Sequence, residues 1–75
     1  MRTFNYRKAR QLREQKGVSI AEMAPHVNMS ESLLGQAEKG ARIPNANHLG
    51  AIAEYLGVTT DSLYVQDDRA LQNAL

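Results

Sequence analysis

The segment SESLLGQAEKG, residues 30–40, concentrates side chains suited to exchanging hydrogen bonds. The Gln36 amide donates and accepts at once, the arrangement that pairs bidentately with the edge of an adenine. The Ser32 hydroxyl bonds to a base or to a phosphate. The Glu31 carboxylate accepts from a cytosine amino group; in the plainer reading it is an acid in a first turn that steadies the helix dipole. Lys39 adds a positive charge. The chemistry on offer is recognition of polar edges, and Glu31, Ser32 and Gln36 are the candidates for reading bases.

Competing chemistries are poorly supplied. His26 and His48 stand on different pieces of the chain without a carboxylate pair, and they read as exposed helix residues rather than as ligands or a base. There is no cysteine, hence no disulfide framework and no thiolate metal site, which fits a reducing cytoplasm. No glycine-rich phosphate loop or nucleophile pattern is present. The expectation is a protein that is not an enzyme, with no metal, no cofactor and no evident small-molecule ligand. No apolar run approaches the roughly 18 residues of a membrane span, and no signal peptide is visible.

The elements that must position these groups follow from punctuation and periodicity. The 75 residues make one domain over residues 1–65 with a short tail over 66–75. No stretch reads as a strand. Five short helical pieces emerge instead, an all-α bundle. The first spans about Tyr6 to Lys16, stops at Gly17, and has a thin apolar face of Ala9 and Leu12 with Phe4 before it. The second opens with the capping box Ser19–Glu22, and Ile20, Met23, Ala24 and Val27 form one buried stripe. Asn28 suits the left-handed turn that ends it. Pro25 removes a bond to the Ala21 carbonyl and predicts a kink or an early end. Ser30 caps the third helix, which ends before Gly40. Asn45 caps the fourth, with core positions Leu49, Ile52, Ala53 and Leu56 and a stop at Gly57. Thr59 caps a short fifth piece carrying Leu63. The third helix turns Leu33, Leu34 and Ala37 inward. Ser32, Gly35, Gln36 and Lys39 face outward, with Glu31 at the edge. Leu33, if partly exposed, could touch a thymine methyl. Gly35 either permits close approach to a groove wall or is drift at an exposed position; it costs about 1 kcal/mol relative to Ala.

Charge is divided unequally. Residues 1–42 hold eight bases against four acids, whereas residues 43–75 hold Arg69 against Glu54, Asp61, Asp67 and Asp68, within a net charge of +1. One basic and one acidic end are expected, unless the imbalance is chance.

The order of "LREQKGVSIAEMA", "VNMS" and "AEKGARIPNANHLGAIAEYLGVTTDSL" resembles the lambda-repressor/Cro-type helix-turn-helix family over roughly residues 6–65, with the helix-turn-helix at about residues 19–39. The resemblance implies a prokaryotic or phage-encoded cytoplasmic DNA-binding regulator, a dimeric repressor that reads an operator in the major groove of double-stranded DNA with its third helix. It implies a structural ion pair between Arg13 and Glu38. It also implies phosphate contacts from Ser19, Lys39, Arg42 and Asn45. Ile20 departs from the pattern: the family often has a glutamine there whose amide touches phosphate, and isoleucine cannot donate. Leu63, Tyr64, Val65 and Leu71 are candidates for a dimer contact or for ordinary core closure. The alternative is an interaction-only module of the same fold, an antitoxin or repressor antagonist, with weakened DNA binding.

Overall fold

The structure is a computed structural model that describes residues 2–66. Its elements are strand β1 (Arg2–Phe4), helix α1 (Tyr6–Lys16), helix α2 (Ile20–Met23), a 3₁₀ turn (Ala24–Val27), helix α3 (Glu31–Glu38), helix α4 (Ala46–Leu56), a second 3₁₀ turn (Asp61–Leu63) and strand β2 (Tyr64–Gln66). The fold is mostly helical, with four α-helices among the described residues. The fifth expected helix is only the 3₁₀ turn Asp61–Leu63, although Thr59 does bond the Ser62 amide as a cap would, at 3.2 Å.

The chain is not all-α. β1 and β2 pair antiparallel, with Arg2 opposite Gln66, Thr3 opposite Val65 and Phe4 opposite Tyr64. Below the sheet the Asn5 amide donates to the Leu63 carbonyl at 2.7 Å. Strands of three residues contain too little alternation to register as a period of two, and their stability comes from a partner at the other end of the chain.

Local signals account for the helix boundaries. Asn5, Ser19, Ser30 and Asn45 each accept a hydrogen bond from the backbone amide three residues on. Ser19 and Glu22 form the full reciprocal capping box, both bonds 3.1 Å long. Pro25 ends α2 early: the regular helix stops at Met23, and the chain tightens into the 3₁₀ turn, which closes at left-handed Asn28.

The core is shared by every element. Met23, Val27, Leu34, Ile52 and Leu63 are fully buried, joined by Phe4, Ala9, Met29 and Leu49. Each large side chain contributes about 1.5–3 kcal/mol by leaving water. Leu56 is half-buried at the rim. Leu63 has 0% exposure, so it closes the core and is not free to contact another subunit. Leu71 lies outside the described residues.

Candidate nucleic-acid interface

Helix α3 carries the candidate reading face. Leu34 and Ala37 are buried and Leu33 is half-buried, while Glu31, Ser32, Gln36 and Lys39 are exposed. The inward and outward sets therefore match the helical period. The Gln36 amide nitrogen donates to the Ser32 hydroxyl at 3.3 Å, one turn earlier. The Gln36 side chain is exposed and has a carbonyl oxygen and a second N–H besides. Gly35 is not on the open face: it is half-buried beside α2, where an added Cβ would lie 4.0 Å from Ile20 Cδ1. The start of α2 packs across α3 at this point, a tertiary contact that a helical wheel cannot register.

Two features fix α3 relative to the rest of the domain. Arg13 Nε and Nη2 donate to the two Glu38 oxygens at 2.8 and 3.0 Å, and Nη1 donates to the Val18 carbonyl at 2.8 Å. The pair is mostly removed from water, with 11% and 4% of the two side chains exposed. The Glu38 hydrogen bonds hold the Arg13 pKa above the ordinary arginine range, against the opposing pull of burial. Thus α1 and the end of α3 are joined by a fork, and the fork also grips the turn before α2.

The second feature is Gly40. At φ 77° it reverses the chain after α3, with its own amide bonded to the Ala37 carbonyl and the Ala41 amide to Gln36. A Cβ there would stand 2.8 Å from the Tyr6 ring, so both conformation and space disfavour a side chain, and the ring would have to shift to admit one. The exit turn of α3 is thereby packed directly on the start of α1.

The expected phosphate-binding residues surround this exit. Lys39 and Arg42 are exposed, and Asn45 is exposed with its Oδ1 occupied by the His48 amide. Between Arg42 and Pro44, Ile43 is 79% exposed. Ser19 is less well placed for an anion. Its backbone amide already binds Glu22, and α2 has only four residues to build a dipole. Arg10 was not among the sequence candidates, yet it joins Arg13, Ile20, Gly35, Glu38 and Lys39 around one cleft between α1, α2 and α3. Its period on α1 gave no sign of this, because the approach of α1 to α3 is set by packing.

The two histidines are separate. His26 stacks on Tyr55 with ring centroids 5.2 Å apart, and Lys16 lies over the same ring at 5.2 Å. Among the described residues no group of three His, Cys, Asp or Glu side chains could hold a metal, and no helix is long and apolar enough to cross a membrane.

Comparison with known proteins agrees with this geometry. The family model of a helix-turn-helix domain matches residues 7–63. An HTH-type transcriptional regulator of Mycobacterium tuberculosis is 39% identical over 57 residues, 76% of this chain. The match spans 41% of that regulator, so the chain corresponds to about two fifths of its length. The P22 c2 repressor bound to a synthetic operator superposes with a TM-score of 0.77 at 23% identity, over 81% of this chain and 92% of that one. The N-terminal DNA-binding domain of SinR from Bacillus subtilis does so with a TM-score of 0.72 at 25% identity, over 77% and 86%.

Proposed function

The chain belongs to the helix-turn-helix domain family, and on that premise we propose that it is a sequence-specific DNA-binding transcriptional regulator, working as a dimeric repressor. The observation that carries the reading is the outward face of α3. Ser32 and Gln36 are exposed, free of the core and mutually hydrogen-bonded, on a helix clamped at its far end by Arg13 and Glu38. In the proposed complex α3 enters the major groove. Gln36 pairs with an adenine, Ser32 bonds a base beside it, and Glu31 selects a cytosine amino group. Lys39, Arg42 and Asn45 hold phosphates at the exit turn, and Ser19 donates its hydroxyl at the entry. These phosphate contacts position the helix and carry no sequence information themselves.

So few base contacts discriminate weakly in one copy, at about 1–3 kcal/mol for each good bidentate pair. A dimer doubles them and reads half-sites about 34 Å apart. Val65, exposed in the middle of β2, is the member of the expected dimer-contact set most open to a partner among the described residues, with half-buried Tyr64 beside it. Occupation of the operator would act by blocking other proteins.

Selection from a random DNA pool at low salt tests the proposal. A two-fold symmetric motif is the expected result, and Gln36→Ala should lose preference at one base pair of each half-site. Enrichment of no motif by the wild-type protein would overturn it and favour the interaction-only module.

A further inference from the structure

The described residues expose two large hydrophobic side chains, Ile43 at 79% and Val65 at 45%. Single exposed apolar residues are ordinary, but these two stand at the ends of one surface. A hollow of about 170 Å³ between β1, the start of α1 and the exit turn of α3 is lined by Thr3, Phe4, Tyr6, Gly40, Arg42 and Ile43. A second, of about 290 Å³, shares Thr3, Phe4 and Tyr6 and continues to Arg7 and Val65. Each is below the roughly 300–1,000 Å³ of small-molecule sites. Side chains of a peptide laid across the surface fit them better than one enclosed ligand does.

Arg7 and Arg42 supply the charge, and no acid lines either hollow. Arg10 and Arg13 have carboxylate partners, Glu14 and Glu38, whereas Arg7 and Arg42 have none among the described residues. Arg7 instead lies over the Tyr6 ring, 5.6 Å from its centroid. Tyr6 is common to both hollows, with Arg42 in one and Arg7 in the other. A second copy offering the same face would bring like charges together, which is unfavourable. The dimer contact expected at Val65 also leaves Ile43 uncovered, because no residue of β2 lines the hollow beside it.

We propose that this surface docks a segment of a partner protein in which carboxylates flank an apolar side chain, the apolar group packing on Ile43 and Tyr6 and the carboxylates pairing with Arg42 and Arg7. An arginine fork and a carboxylate bond bidentately, which fixes the segment in one register. One consequence rests on the DNA-binding reading. Arg42 is assigned there to a phosphate, so a carboxylate on Arg42 displaces DNA. The partner is an antagonist that acts at the exit turn and leaves the outward face of α3 untouched.

The probe is a displayed library of short random peptides selected on the purified protein, followed by the enriched peptide, synthesised and labelled for fluorescence anisotropy. The enriched sequences should carry acids beside an apolar residue. Ile43→Ser should bind that peptide about tenfold more weakly and keep the wild-type melting temperature, since the side chain it shortens is in solvent. Arg7→Gln should weaken binding several-fold and lower its salt dependence. Lys16→Ala removes a charge at the Tyr55 ring and should do neither. The peptide should displace the duplex selected from the random DNA pool from wild type, but not from Ile43→Ser, which still binds that duplex. If the library enriches nothing, or the enriched peptide binds Ile43→Ser as tightly as wild type, the docking surface is wrong. Self-association abolished by Ile43→Ser would give the surface to a second copy, and tighter peptide binding after truncation at Gln66 would give it to residues 67–75; either result overturns the proposal. A protein that takes the peptide but binds no duplex loses the DNA reading and keeps the docking surface. One that holds both together loses the competition alone. Should Ile43→Ser fail to fold, Arg7→Gln decides the matter unaided.

Discussion

Arg13 uses its donors inside the protein, two on Glu38 and one on Val18, and this makes it a structural residue in a domain otherwise rich in solvent-facing cations. Arg13→Ala leaves a carboxylate buried without its partner. It should destabilise the domain by about 3–5 kcal/mol in urea denaturation, whereas a double change to Met and Leu at 13 and 38 should come out near neutral. A normal unfolding midpoint for Arg13→Ala would refute the role. Gly40 and Gly17 both adopt left-handed φ, but only Gly40 faces a ring, Tyr6, at 2.8 Å from an added Cβ. Gly17→Ala should therefore cost about 1–2 kcal/mol for the backbone alone, and Gly40→Ala clearly more. Equal midpoints for the two variants would contradict the packing of Tyr6 under the turn. At this scale the sequence was partly legible. The side chains facing out from α3 followed from its period. The Arg13–Glu38 pair came through family resemblance, because no local rule relates residues so far apart in the chain. Arg10 and the Ile20–Gly35 contact were invisible, since they depend on how three helices meet.

The helices were the most readable elements because their boundaries are set by neighbours in sequence. Ser19, Ser30 and Asn45 cap where side-chain oxygens precede a helical run, and Pro25 shortens α2 for reasons written in its own ring. Asn5 caps α1 in the same way, an asparagine oxygen directly before a helical run. Ser30→Ala should lower stability by about 1 kcal/mol, measured by thermal melting, through loss of the bond to the Leu33 amide. A melting temperature equal to wild type would show that water replaces the cap without cost. The strands were not readable. Thr3 and Val65 oppose each other across a sheet whose two members carry three residues each. The expected fifth helix is only a 3₁₀ turn for a related reason: a cap and one buried leucine suffice for such a turn, and nothing in residues 59–63 demands a full α-helical one.

The whole molecule joins two different kinds of surface. The first half exposes the bases Arg7, Arg10, Lys16, Lys39 and Arg42 together with the acids Glu14, Glu22 and Glu31, whereas the described part of the second exposes only acids, Glu54 and Asp61. The antiparallel pairing of residues 2–4 with 64–66 brings opposite ends of the described chain side by side. That pairing has a kinetic meaning. Caps and helical turns form through short loops, but the sheet must close the longest loop in the domain, and the entropy of that closure is incurred before any strand contact compensates it. The order of events should be helices first and sheet last. Phe4, buried in β1, then contributes its contacts after the rate-limiting step. Phe4→Ala should raise the unfolding rate in a chevron experiment while leaving the refolding limb nearly in place. Slowed refolding would instead put the sheet in the folding nucleus. If the sheet does form last, the strand pair works as a latch: the helices assemble the surface, and the latch sets how long the assembled state survives.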